Sequence, residues 1–245
     1  SNLKENSFDV AVGNVPFGDI RVYDKKYNKD NLLIHDYFFS KSLDMVKPGG
    51  VVAFITSKGT LDKQNDNARR LIAEKADFLG AVRLPNNAFK ANAGTDVTSD
   101  IIFLQKRTEP VEITLDNEPL WIKTAKDENG IEMNAYFAEN PQQICGTMEM
   151  QSTQYGFDST CVPDTSTKLS EQIRNAMQNI NGTISTEKAI EEEFENSAES
   201  VAVPSNLRNS SFFFSDGKPY FYENNSVRDV QLPKKEKNSD RLKGM

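Results

Sequence analysis

Residues 8–20 read FDVAVGNVPFGDI, an apolar run over Val10, Ala11 and Val12 that breaks into Gly13, Asn14, Val15, Pro16, Phe17, Gly18 and Asp19. The run has the composition of a buried strand. Its exit is unusual, because a small amide, a proline and an aromatic follow in quick order. Pro16 fixes its own φ and pushes Val15 into an extended conformation, so the carbonyls of the turn take set directions. Asn14 adds a side-chain carbonyl beside them. Together they form a paired acceptor for one NH₂ group, and Phe17 offers a flat face to a planar ring. An exocyclic amine on a heteroaromatic base has that shape.

Working outward, the first hundred residues alternate strand and helix signals, the pattern of a layered α/β domain with a largely parallel sheet. The stretch NLLIHDYFFSKSLDMVK (31–47) spaces Leu33, Tyr37, Phe38, Leu43 and Val46 at helical intervals and is stopped by Pro48-Gly49-Gly50. GVVAFITS (50–57) reads as a second buried strand, and DNARRLIAEKADFL (66–79) as a second helix carrying Leu71, Ile72 and Phe78. LGAVRLP and DIIFLQKR are two more strands joined by the loop NNAFKANAGTDVTS. In open α/β sheets, sites lie beyond the carboxyl ends of parallel strands, which is where residues 14–17 fall.

From about Glu109 the texture changes to small strand-like fragments broken by Pro and Asn-Gly signals. NAYFAENPQQICGTM reads as a short helix capped near Gly146, and Trp121 as core of this extension. TSTKLSEQIRNAMQNI sets Leu169, Ile173, Met177 and Ile180 on one face with Thr or Ser at hand as N-cap, an amphipathic helix. EKAIEEEFENSAES is an acidic linker or frayed helix. SFFFSDGKPYFYEN places two aromatic runs around Asp216-Gly217, a hairpin signal, and the tail PKKEKNSDRLKGM is polar. The expected division is 1–108, 109–185 and 186–245: a partial catalytic domain, a small-strand and helix extension, then linker, aromatic hairpin and tail.

Composition narrows the classes of function. Twenty-nine basic against 36 acidic side chains give a net charge of −7, which argues against a surface that grips nucleic acid all round. Any such contact comes from a local patch. Cys145 and Cys161 lack metal-ligand spacing and the chain holds one histidine, so neither a disulfide framework nor a metal site is indicated, and a reducing cytoplasm fits. No apolar run approaches the roughly 20 residues of a membrane span, and the first residues lack a signal-peptide core. The absence of an initiator methionine and the entry into strand by Phe8 read as a piece of something longer.

The stretch around Asn14 to Phe17 resembles the signature of the amino-directed, adenine-specific DNA methyltransferases, Asp/Asn/Ser-Pro-Pro-Tyr/Phe after the fourth strand of a Rossmann-like sheet. Val15 stands where most members carry proline, but its carbonyl remains. VGNVPFGD, IHDYFFSKSLDMVKPGGVVAFITSKGTLDK and VRLPNNAFKANAGTDVTSDIIFLQKR together look like the methylase segment of large bacterial mobile-element proteins, in which such a methylase is joined to a helicase-like region. The likeness covers Phe8 to about Arg107, and more weakly NAYFAENPQQICG and DGKPYFYENN. It implies the downstream half of a Rossmann-like methyltransferase fold, mostly parallel with a terminal antiparallel strand, plus a mixed α+β appendage. It further implies an adenine flipped from the duplex, stacked on Phe17 and held by Asn14 and Val15, with S-adenosylmethionine as methyl donor. Phe89 matches the place of a second aromatic against the base. The family binds its cofactor on a glycine-rich turn and an acidic residue upstream of this motif. This chain has no match to either, so the expected partners are DNA, that upstream half and a helicase-like region. By itself the chain is expected to bind the cofactor poorly or not at all.

Other residues carry two readings. Arg21, Lys25, Lys26 and Lys29 suit phosphates beside a flipped base or a solvated loop equally. Thr56 and Ser57 end the second strand and either line the base pocket or cap the next helix. The aromatics of 212–214 and 220–222 suit hairpin packing better than a single-strand stacking platform, and His35 a structural place better than a catalytic one. Rival functions are a noncatalytic DNA-binding or assembly module of a larger helicase-like protein, and a methyltransferase for RNA adenine or protein glutamine. An unpaired edge on the first strand, with Val10 and Val12 uncovered, leads to the expectation of self-association or a rearranged N-terminal segment.

Overall fold

The computed structural model describes residues 4–16, 18–90, 96–153 and 156–180, and beyond these 204, 207–208, 210–215, 218–223 and 226–229. Contacts divide the chain into two units, Ser1–Ile184 and Ser185–Met245.

The first unit is built on a four-stranded sheet. Its strands are β1 (Phe8–Asn14), β2 (Val46–Ser57), β3 (Ala76–Leu84) and β4 (Ser99–Lys106), in the spatial order β1-β2-β4-β3. β1 runs parallel to β2, while β4 is antiparallel to both β2 and β3. The last strand in sequence is therefore the antiparallel one, and it is inserted between β2 and β3. β1, β2 and β3 all finish at one pole of the sheet, where β4 begins. Helices α1 (Ile34–Met45), α2 (Gly59–Asp62) and α3 (Asn67–Lys75) connect the first three strands. The architecture is α/β with a mixed sheet.

Two transitions follow from local chemistry. α1 stops at Met45 because Pro48 cannot continue a helix, and Gly49 takes a φ of 77° that favours glycine. At Gly50 a Cβ would lie 2.8 Å from the Lys47 carbonyl and 3.0 Å from the Asp9 carbonyl, so only glycine lets β2 pass β1 there. The second helix is shorter than its periodicity suggests. Phe78 belongs to β3, pairing with Leu104, because its ring stacks on Trp121 at 5.0 Å and meets Tyr136 edge-on at 4.9 Å. Tertiary packing overrides the helical spacing of Leu71, Ile72 and Phe78.

β2 alternates buried and half-buried residues, with Val46, Val52 and Phe54 in the core. They meet Phe39, Leu43, Leu61, Ile72 and Leu104 in one cluster, which also takes in Trp121, Ile122, Met133, Phe137 and Cys161 from the extension. Trp121 is thus core of the whole first unit. β3 is buried over five consecutive residues, Gly80 to Leu84, because a second cluster of Val82, Leu84, Cys145 and Ala176 covers it.

The extension is a series of small elements. β5 (Thr124–Lys126) and β6 (Glu132–Asn134) form a hairpin; α4 (Ala135–Glu139) follows, and its cap Asn134 accepts from the Tyr136 N–H at 3.0 Å. β7 (Thr147–Thr153) pairs with β8 (Gly156–Val162). α5 (Leu169–Gln178) is the expected amphipathic helix, with Leu169, Ile173 and Ile180 on the second cluster and Met177 40% exposed. Its N-cap is Lys168, with no side-chain cap, and not a Thr or Ser; the Thr167 hydroxyl instead accepts from Gln172 at 3.0 Å. The short helix read toward Gly146 ends at Glu139, and a 3-10 turn at Pro141–Gln143 follows.

In the second unit β9 (Ser211–Ser215), β10 (Lys218–Glu223) and β11 (Ser226–Asp229) form an antiparallel sheet. Phe213 stacks on Tyr220 at 5.5 Å and Phe212 packs on Phe221 at 4.7 Å, so much of the aromatic surface serves strand pairing. Asp216 and Gly217, the acidic stretch 187–200 and the tail from 233 lie outside the described residues.

Candidate functional site

Asn14 is the last residue of β1, opposite Ile55 of β2, and its side chain is exposed. Val15 turns the other way. Its side chain is 5% exposed and sits in the main core, and its N–H donates to the Ile55 carbonyl at 3.0 Å. The strand thus anchors its exit through Val15 and presents Asn14 and Pro16 to solvent. Among the described residues nothing hydrogen-bonds the Asn14 carboxamide or the Val15 carbonyl. Phe17 lies outside the described residues.

The neighbouring residues differ in how open they are. Thr56 is fully buried, its hydroxyl 2.9 Å from that of Thr60, which ties β2 to α2. Ser57 is half-buried and lies level with Ser99 of β4, itself level with Leu84 of β3. Phe89 follows β3 and packs half-buried on the second cluster. Three strand spacings separate β1 from β3, about 14 Å at roughly 4.8 Å each. The topology places Asn14, Ser57 and Phe89 at one pole without bringing Phe89 against Asn14. Residues 91–95 of the intervening loop are outside the described residues.

Beyond the motif, the loop to α1 carries the basic residues. Arg21, Lys25 and Lys29 line an open cavity of about 540 Å³ with Val22, Tyr23, Asp24, Asn28 and Asn31. Lys26 is separate: it pairs with Glu5 at 2.9 Å and lies 4.8 Å from the centre of the Tyr27 ring.

Two charged clusters that no motif announces lie buried nearby. Arg83, wholly buried, donates to both Asp100 oxygens at 2.8 and 3.0 Å and to Asp62 at 2.8 Å, with Phe137 covering its face at 4.2 Å. Burial alone would ease the proton off this guanidinium, but Asp100 and Asp62 outweigh it and hold the group charged. Asp62 also accepts the Asn134 N–H at 2.9 Å, and the Asn134 side chain donates to the Leu61 and Trp121 carbonyls at 2.9 and 2.8 Å. The extension is pinned to α2 through this node. At the start of α1, Lys63 stands 2.8 Å from His35 Nε2 and 3.2 Å from Asp36. Burial, with Lys63 adding to it and Asp36 opposing, lowers the His35 pKa. A neutral ring accepting from Lys63 at Nε2 carries its hydrogen on Nδ1. The only sequence signal for the first node is an arginine inside the apolar run GAVRL. Burial pushes the Cys145 thiol up to about 11 and the Cys161 thiol to about 12, which leaves both poor nucleophiles.

Comparison with known proteins finds a family match over the segment that holds the motif. Residues 2–89 match the Eco57I restriction-modification methylase family. The methylase resemblance drawn from Asn14 and its flanks is shown by that match. Defense against restriction protein B of Escherichia phage P1 is 40% identical over 105 residues, 41% of this chain and 5% of that protein. The rRNA N(6)-adenosine-methyltransferase metl-5 of Caenorhabditis elegans is 32% identical over 109 residues, 43% of this chain and 47% of that one. The chain therefore spans half or less of these relatives. The EcoKI M protein of a type I restriction enzyme superposes with a TM-score of 0.33 at 20% identity, over 40% of this chain and 20% of that one; so slight a likeness decides nothing. None of the described helices is long and apolar enough to cross a membrane. Among the described residues no group of three His, Cys, Asp or Glu side chains is placed to hold a metal ion.

Proposed function

We propose that the methylase segment is the target-base half of an adenine-N6 DNA methyltransferase. The observation that carries this reading is the exit of β1, where a core-anchored Val15 leaves its own carbonyl and the adjacent, exposed Asn14 carboxamide as unengaged acceptors. Two acceptors fixed side by side suit the two hydrogens of an exocyclic amine. Phe17, one residue past Pro16, supplies the stacking face, and Ser57 the polar wall from β2. Phe89 reaches a base held at Asn14 only through a movement of the loop after β3. Thr56 supports α2 from below the pocket. Drawing both amine hydrogens toward oxygen acceptors localises the nitrogen lone pair, so the chain's contribution is position and electrostatics and needs no strong base.

S-adenosylmethionine is the methyl donor that the family implies. Gly49-Gly50 do not form its cradle: Gly50 is required by the approach of β1, and Gly49 turns the chain into β2. The proposed partners are duplex DNA, an upstream cofactor-binding half and a helicase-like region, with Arg21, Lys25, Lys26 and Lys29 as phosphate contacts. The 1–108, 109–185 and 186–245 divisions are proposed as functional segments, with the second folded onto the core of the first.

The worm relative, an rRNA adenosine methyltransferase, favours a second reading, adenine in RNA. Tritium transfer from S-adenosylmethionine, by this chain joined to a cofactor-binding half, separates the cases. Label on adenine in duplex DNA supports the first reading. Label on a structured RNA alone selects the second. Label on neither, with the cofactor bound, leaves the noncatalytic module.

A further inference from the structure

The cavity after the motif is more than a scatter of surface lysines, because the backbone beneath it is fixed by buried bonds. Asn28 is 8% exposed. Its amide donates to the Val22 and Leu32 carbonyls at 2.8 and 3.2 Å and its Oδ1 accepts the Leu32 N–H at 2.7 Å. Asp24 accepts the backbone N–H groups of Lys26 and Tyr27 at 3.0 and 3.2 Å. It also takes the Tyr37 hydroxyl at 2.9 Å and the Lys41 ammonium at 3.3 Å from α1. The Arg21 guanidinium donates to the Asn31 carbonyl, and Ile34 N–H to the Ile20 carbonyl at 2.8 Å closes the base of the loop.

This scaffold commits the one lining carboxylate. The Tyr37 hydroxyl foremost, then the two backbone N–H groups and Lys41, hold the Asp24 carboxyl at about 2, against a burial effect in the other direction. Its charge is answered from α1. Lys25 and Lys29 have no such partner: among the described residues neither ammonium makes a hydrogen bond or an ion pair. Tyr23, between Arg21 and Lys25 on the wall of the same cavity, is 85% exposed. A preformed open cleft thus holds two unpaired cations, a third at its base and an unsupported aromatic ring. Hydrophobic burial does not explain the ring, and pairing within the fold does not explain the charges.

We propose that this cleft is a docking site for a single nucleic-acid strand, with Lys25 and Lys29 on a backbone phosphate and the Tyr23 ring under an unstacked base. The site is distinct from the acceptor pair at Asn14 and Val15. It follows that pair directly in the chain, so the proposal rests on the reading of residues 2–89 as a nucleic-acid methylase segment, and gives the strand beside the target base its own anchor. Phosphate positions and stacking tolerates any base, so the cleft adds affinity without sequence choice. Lys26, turned to Glu5 and outside the cleft lining, is left to the duplex contacts proposed above and takes no part in this cleft.

The test is fluorescence anisotropy of the 245-residue chain with a labelled 12-mer of thymidylate and with an abasic 12-mer of equal charge. The wild type binds the thymidylate strand about tenfold or more tightly than the abasic one. Tyr23→Ala removes that difference and Tyr23→Phe keeps it. Lys25→Ala with Lys29→Ala weakens both strands and lowers the slope of log K against log salt by about 0.7, the value for one phosphate contact on a single strand. Neither Tyr23 nor the lysine ammonium groups bond to the scaffold, so the variants keep the fold; their circular dichroism checks it. Failure of the wild type to bind either strand overturns the proposal, as does binding unchanged in all variants. Asn14→Ala separates the two readings: it leaves strand binding intact if the cleft is the anchor, and abolishes it if the strand is held at the β1 exit alone, which overturns the cleft and spares the methylase reading.

Discussion

At the β3 and β4 side of the sheet's pole, Arg83 is wholly buried and meets two carboxylates and an aromatic face. At the β1 side, Asn14 is exposed with its carboxamide unengaged among the described residues. Both sit where parallel strands end, and both are polar residues at the close of apolar runs. The difference is in what lies over them. The extension closes on β3, so a polar group there must find partners inside the fold or cost stability. On β1 the core side is filled by Val15 and Ala11, while Val10, Val12 and Asn14 stay exposed, so its polar exit has no partner among the described residues. One flank therefore holds the fold, and the other is the one we propose for function.

The largest effect expected breaks the structural side. Arg83→Met strands Asp100 and Asp62 and should cost about 3 to 5 kcal/mol in urea unfolding. Adding Asp100→Leu should recover part of that loss. A cost under about 1 kcal/mol for the single change would remove Arg83 from its place as the pin between sheet and extension.

Next comes acid. His35 is the only histidine, and its folded pKa is depressed by burial with Lys63 beside it. As pH falls below the ordinary value near 6.5, the unfolded chain takes a proton that the folded chain refuses, so stability declines until the folded pKa is reached and is then level. His35→Gln should flatten that stretch of the stability curve. A curve unchanged by the substitution would mean that the ring takes its proton at the same pH in the folded and unfolded chain, against the depression that burial implies.

Smaller again is the change on the open flank. Phe8, Val10 and Val12 are 40%, 54% and 75% exposed on β1, whose one strand partner among the described residues is β2. We expect the chain to self-associate through this edge. Val12→Lys should shift sedimentation toward monomer while altering stability by no more than about 0.5 kcal/mol. A wild type already monomeric at high concentration would put this expectation aside.

Much of this was legible in the chain. Val10 to Val12, the Val51 to Ile55 run and Ile101 to Leu104 announce strands because each is apolar, β-branched and bounded by breakers, and Asn14 to Pro16 stand out because so few turns need those residues together. The strand order was less accessible: nothing local tells β4 to enter between β2 and β3, since that is set by pairing at long range. Phe78 was misread as helical because its partners, Trp121 and Tyr136, lie more than forty residues on. The buried Arg83 node escaped because its parts, Asp62, Arg83 and Asp100, are ordinary surface types until the fold brings them together. Within the basic loop, four similar residues separated only when Lys26 met Glu5.

The exit of β1 is tested most directly by methyl transfer to adenine by this chain joined to a cofactor-binding half, with Asn14→Ala beside the parent and unfolding of both measured in parallel. Loss of transfer by about 100-fold or more, the scale of removing one preorganised polar contact from a reacting group, with stability unchanged within about 0.5 kcal/mol, is the result expected. Full transfer by Asn14→Ala would contradict the assignment of the acceptor pair.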